Sequence, residues 1–363
     1  MLHPVRFSKV YGLGLRALVI ALAISLFVGM TASADAAKVG YPNSMAATGD
    51  SITRAFNMGW FPFTDAPSNS WSTGTNSTVN SQYLRILAKN SHINGLNYND
   101  ARSGTMMADL NGQVTTVVSQ KVEYVTILMG ANDVCTSSLD TMTPVDTYRL
   151  QFATALAALS SGLPDARISV SSVPNVHHLW EIFYTNSSAV INWNFWGTCH
   201  ALLANPTSLA QADVDRRNAV KQRVMDFNTQ LSQVCAQYIH CRFDNNAAFN
   251  LQFTTSAITS RDYFHPAITG QAKAAGTSWA ATFNFEDHVA PRSTASTISV
   301  GGGVNVTLSA NDNVGVSGIE YKMGASAWTV YIAPVFVASG NTLTWRAVDV
   351  NGNLEATHTL TAP

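Results

Sequence analysis

Charge is scarce in this chain. Acidic and basic side chains make up 12% of its 363 residues, about half the usual share. No basic run is long enough to track a phosphate backbone, which argues against a nucleic-acid partner. Disorder is excluded as well, because hydrophobic residues reach 46%. Cysteine is sparse: Cys135, Cys199, Cys235 and Cys241. The C-x-x-C spacing of a zinc site is missing. Long apolar runs are missing too, apart from residues 17–28, which are short for a membrane span.

That apolar run follows Arg6, Lys9 and Arg16 and precedes Ala32-Ser33-Ala34-Asp35-Ala36. A basic start, an apolar middle and small residues at an A-x-A-like site describe an export signal over residues 1–36, with cleavage near 34–37. Its removal takes away three bases and one acid, leaving a mildly acidic secreted protein. An even number of cysteines in an exported chain suggests two disulfides. Three pairings are possible. The preferred one joins Cys235 to Cys241 in a small loop and Cys135 to Cys199 across a long insertion.

After the signal, residues 45–48 read as a short buried strand and 53–80 as a long polar and aromatic loop. Helical periodicity marks 81–89, 145–161 and 211–237, and a helix opens near Pro266 and runs through 281. Strands are expected at 93–98, 122–129, 167–173 and 239–243. Residues 176–210 read as irregular and aromatic. Strands alternating with helices imply an α/β fold with a mostly parallel sheet, whose ligand sites lie beyond the carboxyl ends of the strands. Composition changes at 287–294, read as a linker. Beyond it, short alternating segments at 304–308, 318–322 and 342–348, separated by turn signals, predict a small antiparallel β-sandwich over 295–363.

Three strand ends carry chemistry. Gly49-Asp50-Ser51-Ile52 puts a serine where its hydroxyl faces outward, beside the N–H groups of an expected helix start. Gly104 can present a backbone N–H with no side chain in the way. Asn132, in Gly130-Ala131-Asn132-Asp133, can donate its amide. With the Ser51 N–H these make three donors for a tetrahedral intermediate. Asp262 and His265 lie three residues apart before a helix, so His265 can take a serine proton while Asp262 holds its other nitrogen. Each residue alone reads as readily as a turn or cap. Asp50 and Asp133 are read as structural acids, and His177 and His178 as surface or mouth residues.

The ordered blocks Gly49-Asp50-Ser51-Ile52, Arg102-Ser103-Gly104-Thr105, Gly130-Ala131-Asn132-Asp133 and Asp262-Tyr263-Phe264-His265-Pro266 resemble those of the SGNH, or GDSL-type, hydrolases, with Ile52 in place of leucine. Cys135 soon after the asparagine block is similar to secreted lipase and phospholipase B-like members. The resemblance spans about residues 45–285. It implies a flavodoxin-like three-layer sandwich over 40–286 and hydrolysis of carboxylic esters without metal or cofactor. It also implies Ser51 as nucleophile, His265 as base, Asp262 as its orienter, and an oxyanion hole of Ser51, Gly104 and Asn132. The absence of G-x-S-x-G around Ser51 argues against the α/β-hydrolase fold. The aromatic stretch 176–210 is either an acyl groove or a satellite core pinned by Cys199. The first reading expects Trp193→Ala to harm long-chain esters more than acetates, and it tilts the substrate toward lipids. The alternatives are a carbohydrate O-acetylesterase on the same fold, or an inactive surface-binding protein. Residues 295–363 look like bacterial Ig-like modules, for which a spacer role or cell-surface or polymer contact is expected.

Overall fold

Runs of small and apolar residues covered on both faces become strands here. Met45–Gly49 (β1), Asn97–Asn99 (β2), Tyr124–Leu128 (β3), Arg167–Val170 (β4) and Cys241–Phe243 (β5) form one sheet in the order β2-β1-β3-β4-β5. Every pairing in it is parallel. The computed structural model describes residues 37–363, so the export signal over 1–36 lies outside the described residues. Side chains alternate across the sheet. Ala46, Val125 and Ile127 face one core, with Val114, Phe152 and Phe227. Met45 and Tyr124 face the other, with Tyr83, Ile86 and Phe285.

Helices cover both faces, which makes the α/β three-layer sandwich. They are Gln82–Leu87 (α1), Leu110–Gln120 (α2), Ala131–Val134 (α3), Val145–Gly162 (α4), His177–Phe183 (α5), Ser187–Trp196 (α6), His200–Leu203 (α7), Gln211–Cys235 (α8) and Ile268–Ala281 (α9). The strand order reverses between β1 and β3, and at such a switch point an open α/β sheet gathers its ligand.

Four local expectations are corrected. α2 was not anticipated, because Gly112 and its β-branched residues disfavour helix; Leu110, Val114 and Val117 nevertheless share one buried face. Residues 176–210 are not irregular but hold α5, α6 and α7. β2 is only three residues long, since Ser91–Ile93 closes a tight 3-10 turn instead of starting the strand. α9 begins after Ala267, so Pro266 precedes the helix rather than occupying its first turn.

The disulfides join Cys135 to Cys199 and Cys235 to Cys241. Beyond the sheet, seven strands run Arg292–Val300 (β6), Gly303–Asn311 (β7), Val316–Met323 (β8), Thr329–Val330 (β9), Val335–Ala338 (β10), Thr342–Asp349 (β11) and His358–Thr361 (β12). They make two antiparallel sheets, β10-β7-β6 and β12-β11-β8-β9, around Val306, Val337, Leu343 and Trp345. β6 starts at Arg292, inside the stretch expected to be linker.

The β-sandwich is docked rather than tethered. Buried Arg167, the first residue of β4, donates to the Gly352 carbonyl at 3.0 Å, the Asn353 Oδ1 at 2.8 Å and the Gly40 carbonyl at 2.5 Å. Arg346 pairs with Glu320 at 2.5 Å and with Asp165 at 2.7 Å. Ser317 donates to the Ile239 carbonyl. Gly40, Asp165, Arg167 and Ile239 all lie at or just before strand starts, so the sandwich sits at the amino end of the parallel sheet.

Candidate active site

The turn after β1 is held from several sides. Gly49 has φ +145°, and a Cβ there would lie 2.3 Å from the Leu128 carbonyl oxygen, so only glycine fits. Gln113 on α2 clamps both of its backbone groups: Oε1 accepts the Gly49 N–H at 2.8 Å and Nε2 donates to the Gly49 carbonyl at 2.9 Å. Beyond Ser51 the chain makes a series of turns, not the helix expected there. Ala55 and Asn57 both adopt positive φ, which a regular helix does not allow. Asp50 Oδ1 accepts the Ile52 N–H at 2.9 Å. Its other oxygen has no partner. Burial pushes this carboxyl up to about 6, against the Ile52 N–H and the nearby His265, which favour the charge.

Ser51 Oγ lies 2.8 Å from His265 Nε2, and His265 Nδ1 lies 2.8 Å from Asp262 Oδ2. A carboxylate only accepts, so Nδ1 carries hydrogen and Nε2 is left to accept the serine proton. Asp262 Oδ1 also takes the N–H groups of Phe264 and His265, each at 2.9 Å. Burial would raise the Asp262 carboxyl; its bonds to His265, the His265 charge and the Asn57 amide outweigh this and hold it below the usual range. The turn stores strain at Tyr263, a non-glycine residue at φ +53°.

Asn57 is a residue that sequence reasoning missed. Its amide donates to Asp262 Oδ2 at 2.5 Å, and its oxygen accepts the Phe63 N–H at 2.5 Å. Gln113 was missed with it. A lone amide carries no spacing signal, and Gln113 would have been found only with α2.

Ser51, Gly104, Asn132 and His265 line one open cleft of about 280 Å³, walled by Phe56, Thr198, Phe264 and the Cys135–Cys199 disulfide. Gly104 takes φ +80°, and a Cβ there would meet nothing within 4 Å. The space a substrate needs is therefore open, and the backbone angle is what requires glycine. Asn132 Nδ2 donates one hydrogen to the Thr105 carbonyl at 2.8 Å; its second hydrogen is available to the cleft. The five residues expected at the site thus meet in one place.

Asp133 bonds the Met107 N–H at 2.9 Å and the Thr143 hydroxyl at 2.7 Å. Burial raises its carboxyl to about 6 in spite of these bonds. It fixes loops, as does Asp50. His177 and His178 both meet the Glu181 carboxylate, at 2.9 and 2.8 Å; His177 is buried, which corrects its reading as a surface or mouth residue. Trp193 is 2% exposed and donates to the Tyr263 carbonyl at 3.2 Å. It therefore packs behind the Asp262–His265 turn and does not line an acyl groove.

Residues 45–276 match the family described as GDSL-like Lipase/Acylhydrolase. Several solved structures are similar, among them the following three. One is an acetyl xylan esterase, with 15% identity, 65% of this chain and 98% of that chain covered, and TM-score 0.41. Another is phospholipase A1 from Streptomyces albidoflavus NA297, with 18% identity, 68% and 100% covered, and TM-score 0.38. A third is a family 3 carbohydrate esterase from Clostridium thermocellum, with 12% identity, 67% and 95% covered, and TM-score 0.35. No curated protein matches the chain.

Proposed function

We propose a specific reaction from one premise: the chain belongs to the GDSL-like lipase/acylhydrolase family and is an ester hydrolase. The observation that carries the reading is the unbroken relay from Ser51 Oγ through His265 to Asp262, at 2.8 Å in each step. His265 Nε2 takes the Ser51 proton as Oγ bonds to the ester carbonyl carbon. The oxyanion meets the Ser51 and Gly104 N–H groups and the Asn132 amide. The carbon–oxygen bond to the leaving alcohol then breaks, and that alcohol takes the proton from His265. Water next attacks the acyl-Ser51 ester and gives a proton to His265, which passes it to Ser51 Oγ as the acyl–oxygen bond breaks and the acid leaves. Asp262 keeps the imidazole in the required tautomer throughout.

The ester is lipid-like in this reading, because the cleft walls include Phe56 and Phe264 and no Asp, Glu, Lys or Arg. The protein acts outside the cell, in line with its two disulfides and the basic, apolar and small-residue order of residues 1–36. Residues 40–286 form the catalytic unit and 295–363 an Ig-like module for surface or polymer contact. A substrate series from acetate to palmitate p-nitrophenyl esters, plus a phospholipid and an acetylated xylan, tests this. Ser51→Ala should lower turnover by at least about 10³-fold. Equal turnover by wild type and Ser51→Ala would end the catalytic assignment, and activity confined to acetylated sugars would replace the lipid reading.

A further inference from the structure

Around the cleft, two segments carry large apolar side chains into solvent. In the first, Trp60, Phe61 and Phe63 are more than half exposed, Trp60 at 90%. In the second, on α6, the same holds for Ile191, Phe195 and Trp196, with Phe195 at 76%. Phe63 touches Trp196 at 5.4 Å between ring centroids, so the two segments form one patch. It is continuous with the cleft: Phe56 precedes the first segment, Thr198 follows the second, and both line the wall beside Ser51. The patch is also built in place. The Arg261 guanidinium donates to the carbonyls of Asn57 at 2.9 Å and Gly59 at 2.8 Å. The Arg261 carbonyl accepts the Asn192 amide at 3.2 Å.

We infer that this aromatic rim docks the enzyme onto the surface of a neutral, zwitterionic phospholipid assembly and so presents Ser51 to esters at the lipid–water boundary. The inference rests on the lipid reading above. Exposing this much aromatic surface beside a catalytic cleft has a cost in water that an apolar partner removes. Trp settles at the boundary of a bilayer, and Phe with Trp makes up the apolar face of segments that lie in it. Charge points to a neutral surface: residues 56–64 and 182–199 contain no Asp, Glu, Lys or Arg, and Arg261 spends its guanidinium on backbone carbonyls. A polysaccharide fits less well, because stacking on sugar rings wants coplanar faces. Here Phe195 and Trp196 stand at 87° to each other, and Phe63 and Trp196 at 57°.

The test uses the full-length Ser51→Ala protein, which binds without turnover. It should sediment with phosphatidylcholine vesicles, and brominated phosphatidylcholine should quench its tryptophan emission. Binding should persist in about 0.5 M NaCl, where charge attraction is screened within a few ångströms. Trp60→Ser with Phe195→Ser should weaken vesicle binding by at least about tenfold. If that pair disturbs the fold by circular dichroism, Trp60→Ser alone serves, since its side chain projects into solvent; the quenching assay needs no rim substitution. The inference is overturned if vesicles do not bind, if salt abolishes binding, or if the variants bind as before. It is also overturned if the rim substitutions instead abolish pelleting with insoluble xylan or a monomer–dimer equilibrium. Vesicle binding without cleavage of lipid esters would sink only the substrate reading. Cleavage of dispersed long-chain esters without vesicle binding would sink only the docking.

Discussion

Asn57, which is not among the residues lining the cleft, shows how one neutral side chain can bear on the carboxylate proposed to orient His265. Its amide shares Asp262 Oδ2 with the imidazole. Hydrogen bonds to charged groups contribute about 1.5–3 kcal/mol, so Asn57→Ala should lower kcat on a soluble ester by roughly 10–100-fold with KM little changed. A change in KM alone would show that Asn57 serves substrate binding instead. Asp50 gives a pH signature. Its carboxyl is raised from 3.8 to about 6 by burial, so the native state holds an extra proton between those values. Stability that Asp50 contributes below about pH 4 is lost as pH rises through about 6, by up to roughly 3 kcal/mol. Asp50→Asn should flatten that part of the Tm profile, which a thermal melt series from pH 4 to 7 would read. Identical slopes in wild type and variant would move the effect to another group, with Asp133 the next to test. The proposed site residues were legible because ester hydrolysis demands those residue types, Ser51, Gly104 and Asn132 after strands and Asp262 and His265 before a helix. The amides that hold them were not, since Asn57 and Gln113 act across 205 and 64 residues of chain.

At the scale of elements, α4 and α8 announced themselves by their 3.6-residue apolar spacing, and β1 and β3 by short buried runs. α2 and the helices between residues 177 and 203 did not. α2 is rich in β-branched residues and carries Gly112, α5 and α6 are rich in aromatics, and α7 is four residues long; tertiary packing decides such cases. The Cys135–Cys199 bond explains part of this. It spans 64 residues and ties α7 to the end of α3. On a chain-entropy estimate it stabilises by about 4 kcal/mol, against about 2 kcal/mol for the 6-residue Cys235–Cys241 loop. Replacing both cysteines of each pair by serine should therefore lower Tm more for Cys135/Cys199, and hydrogen exchange should quicken through residues 177–203. Equal Tm losses would mean that α5, α6 and α7 hold without the bridge. Trp193 belongs to the same layer. Because it supports the Tyr263 carbonyl from behind, Trp193→Ala should reduce acetate and palmitate ester turnover in equal proportion. A loss confined to the long chain would restore it to the acyl path.

Across the whole molecule, the boundary between catalytic fold and β-sandwich is the feature that composition concealed. The change at 287–294 marked where helical patterning stops, but a buried interface formed by residues far apart leaves no local trace. Arg167 is buried there with three acceptors, and burial lowers its guanidinium to about 10. Arg167→Met would leave the Gly352 and Gly40 carbonyls unpaired, while Asn353 Oδ1 keeps the Gly40 N–H, at a cost of about 2–6 kcal/mol. Calorimetry of the intact protein should show one cooperative transition, and the variant should show two. A single transition in both would place the coupling in the Arg346–Glu320–Asp165 contacts instead. The same junction sets an orientation. The sandwich grips the sheet where its strands begin, and Ser51 stands where they end, so the two lie at opposite poles. Whatever holds the sandwich in place would leave the cleft beside Ser51 facing outward, like a tool held by its handle, and a support coupled there should leave that cleft unshadowed.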